Sequence, residues 1–228
     1  MNALINAHNQ RGRSRFPYAG LTSNVLPEAQ RSQTGVSSDY MQKANHEWFV
    51  LRVTYNRTQK ACNIISTFNL QSYMPMHYVI KKEIGEKKRF LQPLLPNLFF
   101  VYATREAVNS IIKKKGDETS ILKFYLDKTK PLEVNGKHPP LTIPFTAMIN
   151  FIKATSTDNE HVRVVSSEQC HYKSGDMVKV IGGEFEGVTG KVARIAGQQR
   201  VVVEISGLCL VATAYIPSAF IEKYNINL

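Results

Sequence analysis

The chain has 228 residues and a formal net charge of +11, and 43% of its residues are hydrophobic. That length fits one large domain or two small ones with a real apolar core. No apolar run approaches the ~18 residues of a membrane-spanning helix, and the first residues lack the apolar stretch of a secretory signal, so we expect a cytoplasmic protein without membrane contact.

Residues 1–45 are rich in Asn, Gln, Ser, Arg and Thr without sustained periodicity, which predicts a mostly disordered leader. Arg11, Arg13 and Arg15 either touch a phosphate backbone or remain solvated tail charges. Ordered structure is expected to begin with an apolar strand from Glu47 to Val53.

The next hundred residues alternate short strands and helices. Thr54 or Asn56 is placed to cap a helix from Arg57 to Phe68, where apolar residues recur at helical spacing. Further along we predict a strand Tyr73–Ile80 interrupted at Pro75, a polar hairpin or loop at 81–89, a strand Leu98–Tyr102, a helix Arg105–Lys114 capped by Thr104, a strand Ile121–Leu126 and a helix opened by Pro144. This alternation predicts an α/β or α+β domain over 46–153.

Residues 174–224 carry three Val/Ile-rich runs separated by glycines. Val178 and Val180 form the first run, and the third contains Val201, Val203 and Ile205. Period-2 patterning broken by glycine turns is typical of short antiparallel strands that curl into a small barrel. A polar linker is expected between the two domains, over 154–173.

The positive charge is concentrated in the middle of the chain. Residues 48–150 carry 16 basic and 7 acidic side chains, a net +9, whereas residues 151–228 carry 8 of each. A basic middle domain points to a polyanionic neighbour, most simply nucleic acid, although a charge that only serves solubility explains it equally well.

Three short motifs follow one another in a specific order. A strand opens with Trp48-Phe49-Val50, and a Pro-rich turn enters an apolar strand over 95–101, LPNLFFV. From Val178 the order V-x-V-I-x-G-x-F-x-G-x-x-G-x-V resembles a KOW motif. The set resembles the NusG family, which implies an α+β fold: an NGN-type antiparallel sheet with flanking helices over 46–153, then a small all-β, SH3-like KOW barrel over 174–224.

Differences from the family pattern indicate which members of the family the chain resembles most. The family's glycine is Asn97 here and its tyrosine is Leu98. Ser206 stands where general NusG has an aromatic residue that helps hold termination factor Rho, which argues against Rho binding. The long leader and the Lys-rich segment 81–89 are more similar to the specialised paralogues RfaH and, above all, the UpxY antiterminators of capsular polysaccharide operons. The resemblance implies an antitermination or elongation factor that suppresses pausing or termination.

The resemblance also implies that the NGN domain binds the clamp of RNA polymerase beside the upstream edge of the transcription bubble. An apolar patch could receive a polymerase helix tip. Its expected members are Leu94, Leu95, Pro96 and Leu98, with Phe49 or Tyr55 nearby. The alternative is that the prolines and leucines belong to the core, and Leu98 is expected to be at least partly buried.

The Lys-rich segment would then lie near the non-template DNA strand, the upstream duplex or nascent RNA. Sequence-independent, salt-sensitive affinity would come from Lys81, Lys82, Lys87, Lys88 and Arg89. Side chains able to pair with bases or stack on them are Arg52, Arg57, Gln59, His77 and Tyr78, although the simpler interpretation of each is an ordinary solvent-facing residue.

In NusG relatives the KOW barrel recruits Rho or a small-subunit ribosomal protein. The resemblance implies that Gly183, Phe185 and Gly187 of the loop 182–187 contact such a partner here. Phe185 either is exposed between two acids or fills the barrel core. The barrel is neutral, which argues against it as the main site of nucleic-acid binding.

Two other classes of protein compete with this interpretation. A KOW-containing RNA-binding or ribosome-associated protein would explain the charge and the barrel but not the NGN-like segment. An enzyme is disfavoured because Glu83, Asp127 and His138 are scattered and no catalytic or phosphate-loop motif appears. The three cysteines are far apart and form no Cys/His cluster, so neither a metal nor another cofactor is expected.

Overall fold

The computed structural model of the chain describes residues 41–54, 57–83, 85–113, 121–157 and 159–224. Most of the predicted leader lies outside these residues, including Arg11, Arg13 and Arg15, and so do Tyr55 and Asn56. The described residues contain three α-helices and thirteen strands, arranged in three antiparallel sheets. The predicted α+β fold is confirmed.

In chain order the elements are β1 (Glu47–Val53), α1 (Thr58–Thr67), β2 (Gln71–Tyr73), β3 (Met76–Glu83), β4 (Glu86–Pro93), β5 (Leu98–Ala103), α2 (Arg105–Lys113), β6 (Leu122–Phe124), β7 (Thr142–Ile143), α3 (Phe145–Thr155), β8 (Arg163–Val165), β9 (His171–Val180), β10 (Thr189–Ile195), β11 (Gln198–Ile205), β12 (Cys209–Ala212) and β13 (Ile221–Lys223). Short 3₁₀ turns occupy 167–169 and 218–220.

The first sheet has the strand order β2-β5-β1-β6, and β7 also pairs with β1. Alternate residues of a strand point to opposite faces. In β1, Trp48 and Val50 therefore enter one apolar core, while Phe49 and Leu51 enter another, which α1 and α2 line with Ile65 and other residues. Both faces of this sheet are covered, as the near-continuous apolar run of β1 requires.

Two of the three helices begin at the residues that the sequence predicts. Thr104 caps α2, because its Oγ1 accepts a hydrogen bond from the backbone N–H of Ala107 at 3.2 Å. Pro144 immediately precedes α3, as predicted. Thr54 does not cap α1, which begins after Arg57. Its hydroxyl donates instead to the carbonyl of Ile121, at 3.3 Å.

Strands β3 and β4 form a separate two-stranded hairpin. The sequence predicted a strand ending at Ile80 and a polar hairpin or loop at 81–89. The structure has a hairpin, and its strands continue to Glu83 and from Glu86. The longer strands follow from regular cross-strand pairing, which extends from Met76 to the turn.

The second large sheet has the order β13-β9-β10-β11-β12-β8. Its strands cover the segment where the barrel was expected. A Cβ at Gly190 would lie 2.3 Å from the carbonyl oxygen of Val202, so this close crossing of β10 and β11 admits only glycine.

The expectation of a polar linker over 154–173 is wrong at both of its ends. Helix α3 continues to Thr155, and β9 already begins at His171. Between them β8 pairs with β12 as an edge strand of the second sheet. The reason is that Val162 and Val165 are buried, so this stretch contributes to the cores and does not merely connect them.

Helix α3 lies between the two large sheets and gives them a common apolar core. Phe151 and Ile152 of this helix are fully buried, in one cluster with Phe100 of the first sheet and Val203 of the second. The amide of Asn150 binds the backbone of Thr189 twice, donating to its carbonyl at 2.7 Å and accepting from its N–H at 2.8 Å. The second sheet is therefore packed against the first half of the chain.

The β10–β11 turn contains a strained residue. Ala196 and Gly197 have φ values of 50° and 78° and join β10 to β11 as a two-residue hairpin turn. This pair of left-handed residues favours Asn-Gly. We expect Ala196→Asn to raise the free energy of unfolding by about 1 kcal/mol. The exposed Ala219→Asn should change it little, and equal effects in denaturant melts would contradict the strain argument.

Candidate nucleic-acid interface

The β3–β4 hairpin places like charges directly opposite one another. Its register pairs Lys81 with Lys88 and Lys82 with Lys87, and all four side chains are exposed. Directly opposite residues have Cβ atoms about 4.5–5.5 Å apart, and like charges at this distance destabilise a strand pair. The last pair before the turn is Glu83 with Glu86, so the positive surface consists of the two lysine pairs behind it, which an adjacent polyanion would stabilise.

Each face of the hairpin combines basic and aromatic side chains. One face carries Tyr78, Ile80, Lys82, Lys87 and Arg89, and the other carries His77, Val79, Lys81, Lys88 and Phe90. The Arg89 guanidinium carbon lies 4.2 Å from the Tyr78 ring centroid, and Lys81 Nζ lies 5.8 Å from that of Phe90. Cations held over aromatic rings beside open strand faces are suited to single-stranded nucleic acid, where bases stack and phosphates pair.

The base of the hairpin holds a neutral polar pair. His77 Nε2 lies 3.3 Å from Gln92 Nε2 on the opposite strand. Burial lowers the pKa of His77, so the imidazole is uncharged at neutral pH. His77 is therefore suited to hydrogen bonding with a base edge and not to pairing with a phosphate.

An acidic residue that the sequence did not single out contacts the hairpin. Glu160 Oε2 lies 4.0 Å from Arg89 Nε, and both side chains are partly exposed. An exposed ion pair of this length contributes little stability. It does place the segment between α3 and β8 beside the hairpin.

The remaining candidate base-contacting residues lie elsewhere. Arg52 is exposed on β1 in the first sheet, between Leu98 of β5 and Lys123 of β6. Arg57 is exposed before α1, and the side chain of Gln59 lies outside the described residues. Lys123 was missed because a lone lysine in a short strand carries no sequence signal, and only the register places it beside Arg52.

The expected apolar docking patch is largely buried. Phe49, Leu94 and Leu95 are all less than 10% exposed, and the two leucines pack in the cluster that contains α3. The expectation that they form a surface patch is therefore wrong, since alternation in β1 and the turn before β5 directs them inward. Pro96 is exposed and Leu98 half-buried, while Tyr55 lies outside the described residues.

Asn97 explains one departure from the family pattern. Its φ of 60° lies in the left-handed region, where glycine is favoured and asparagine is tolerated. The turn between β4 and β5 therefore keeps the conformation that a glycine would permit.

The loop 182–187 also differs from expectation. Phe185 is 5% exposed and belongs to the common core, so the alternative that it fills the core is the one observed. Gly183 and Gly187 have φ values near 80° and shape the turn. The exposed aromatic beside this loop is Phe220, whose ring lies 3.3 Å from the position of a Cβ on Gly182. Phe220 was missed because a lone phenylalanine carries no signal of exposure in the sequence.

Comparison with known families agrees with the first half of this architecture. Residues 46–139 match the family model described as NusG, transcription termination factor nusG. The match supports a NusG-family factor. The matched segment contains β1–β6, including the β3–β4 hairpin. It ends before α3 and the second sheet. A comparison with curated proteins gave no match.

NusG-family proteins are non-enzymatic transcription factors that generally bind RNA polymerase. The NusG match therefore supports the interpretation of this chain as a transcription factor and not as an enzyme. Among the described residues, no group of three His, Cys, Asp or Glu side chains is placed to hold a metal ion. None of the helices in the described ranges is long and apolar enough to cross a membrane.

Proposed function

We propose that this protein is a transcription antitermination or elongation factor, which binds elongating RNA polymerase and contacts nucleic acid beside the transcription bubble with its β3–β4 hairpin. The observation that carries the proposal is the pairing of Lys81 with Lys88 and of Lys82 with Lys87 inside a NusG-family segment. Lysines repel one another across the two strands, and a phosphate backbone placed beside them would offset that repulsion and add sequence-independent affinity.

Polymerase binding is proposed to use the exposed end of the first sheet. Since Leu94 and Leu95 are buried, the contact surface would consist of Pro96, Leu98 and the neighbouring Arg52. A half-buried leucine beside an exposed proline offers a small apolar contact with a charged rim, which fits a helix tip of the clamp.

Suppression of pausing follows from binding one state of the polymerase more tightly than another. A factor that bridges clamp elements hinders clamp opening only by its differential affinity for the closed state. A coupling of ~1–3 kcal/mol would change pause occupancy several-fold to a hundredfold. We propose that the protein suppresses pausing or termination at specific operons, such as capsular polysaccharide loci, as UpxY and RfaH factors do.

The second sheet is proposed to be a KOW domain that recruits a small-subunit ribosomal protein. Gly183 and Gly187 would shape the contact loop, and the exposed Phe220 would replace Phe185 as its apolar member. Ser206 in place of an aromatic residue argues against Rho as the partner.

The deciding experiment measures binding of the full chain to purified elongation complexes, together with pausing and read-through. Binding with fewer pauses or more read-through would support the proposal. Absence of binding, alongside tight binding to free structured RNA, would favour a ribosome-associated RNA-binding protein instead.

The docking surface can be tested with one substitution. We expect Leu98→Asp to weaken binding to elongation complexes at least about tenfold, because it places a charge in an apolar contact. The matched control is Val164→Asp, at an exposed apolar position of β8 in the other large sheet. Unchanged binding by a folded Leu98→Asp variant would show that another face docks.

A further inference from the structure

An open cavity of about 430 Å³ lies at the end of the second sheet, beside the β10–β11 turn. Its lining residues are Arg194, Gly197, Gln198, Gln199, Tyr215 and Ser218. None of them is acidic, and four carry side-chain N–H or O–H donors besides Gln199. The cavity lies outside the segment that matches the NusG family.

The side chains around Arg194 are arranged as donors. Arg194 pairs in register with Gln199 on one side and His171 on the other, and among the described residues it makes no ion pair. Gln199 Nε2 donates to the carbonyl of Ile216 at 3.2 Å and to Ser218 Oγ at 3.1 Å. Because Ser218 Oγ accepts this bond, its own hydroxyl proton is left to donate to a ligand.

A buried arginine lies at the same end of the second sheet. Arg200 is 4% exposed, and its Nη2 donates to Gln198 Oε1 at 2.7 Å. Because Arg194 pairs with Gln199, alternation along β11 places Gln198 and Arg200 together on the opposite face of the sheet.

Arg200 also gives this end of the sheet an uncompensated positive charge. Its Nη1 donates to the carbonyls of His161 and Thr213, while its Nε has no hydrogen-bond partner and no carboxylate pairs with it among the described residues. Burial, with a smaller contribution from Arg163, lowers its pKa. A buried cation without a counter-ion is unfavourable, and an anion bound nearby would offset that cost.

We propose that this cavity binds a phosphate group, with Arg194 as the pairing cation and Tyr215 and Ser218 as hydrogen-bond donors. Guanidinium groups pair well with phosphate oxygens, which accept several hydrogen bonds at once. The phosphate could be free or part of a nucleic-acid strand. In a strand, the half-exposed Tyr215 ring would be available for base stacking.

The test is a titration of the full chain with inorganic phosphate at constant ionic strength, followed by amide chemical shifts. We expect saturable shifts at Gly197 and Ser218. Arg194→Gln should raise the Kd at least about tenfold, because it removes a charge-assisted contact. Lys179→Gln removes an exposed charge on β9, away from the cavity lining, and should leave the Kd unchanged.

A second variant keeps the proposal falsifiable if Arg194→Gln perturbs the fold. Ser218→Ala removes one donor and should also weaken phosphate binding. Absence of saturable shifts, or equal Kd values for the wild type and both variants, would overturn the proposal.

The source of the phosphate is decided by repeating the titration with a short single-stranded RNA. Tighter binding than inorganic phosphate, lost in Arg194→Gln, would assign the site to nucleic acid. Equal or weaker binding would assign it to free phosphate. Neither result depends on whether the protein binds polymerase.

Discussion

Replacing Phe151 with alanine should destabilise both halves of the protein together, by about 3–5 kcal/mol. Phe151 is fully buried on α3, with its ring centroid 5.5 Å from that of Phe100 in the first sheet. The same apolar cluster includes Val203 of the second sheet. The cavity left by the missing ring would therefore weaken packing on both sides of the helix.

The experiment follows the two sheets separately during denaturant unfolding. Trp48, the single tryptophan, reports the first sheet by fluorescence, and hydrogen exchange at the amide of Val203 reports the second. We expect one coincident transition, shifted equally for both probes. Phe220→Ala, at a partly exposed aromatic, serves as the control and should cost far less. Two separate transitions, or a shift confined to one probe, would contradict a shared core.

Neutralising the hairpin should weaken nucleic-acid binding while strengthening the fold. We expect the combined variant Lys87→Gln, Lys88→Gln and Arg89→Gln to reduce the slope of log affinity against log salt by about 2–3, since each lost phosphate contact removes ~0.7–0.9. The double variant Lys87→Gln and Lys88→Gln breaks up the opposed lysine pairs and keeps Arg89 over Tyr78, so its free energy of unfolding should rise by roughly 0.2–1 kcal/mol.

The control carries the same loss of charge at other sites. Lys128, Lys137 and Lys179 are exposed outside the hairpin, and their joint replacement by glutamine should leave the salt slope nearly unchanged. Equal slopes for the two triple variants would show that net charge alone attracts nucleic acid. The opposite signs expected for binding and stability distinguish a functional surface from a merely solubilising one.

The basic part of the candidate site could be predicted from the sequence, because its charged residues are close together in the chain. Lys81, Lys82, Lys87, Lys88 and Arg89 occur within nine residues, so any hairpin or loop would bring them together. Arg52 and Lys123 could not be paired in advance, because they are 71 positions apart and only the β1–β6 register joins them. Arg194 and Gln199 could not be singled out either, because arginine and glutamine are common on protein surfaces and only the β10–β11 register pairs these two.

Helix starts and tight turns in this protein follow from local residue patterns alone. Thr104 and Pro144 start helices because a hydroxyl can accept a free backbone N–H and a proline needs none. Glycine spacing in the second half sets the turns, as the positive φ of Gly183 and Gly187 shows.

The exposure of individual apolar side chains and the joining of the two halves depend instead on long-range packing. Strand alternation predicts which residues share a face of a sheet, but it does not predict what covers that face. Leu95 and Phe185 were therefore compatible both with a docking surface and with a core. The covering element is α3, whose Asn150 meets Thr189 across 39 positions of sequence. Contacts of that range depend on the packing of whole elements, which no local pattern encodes.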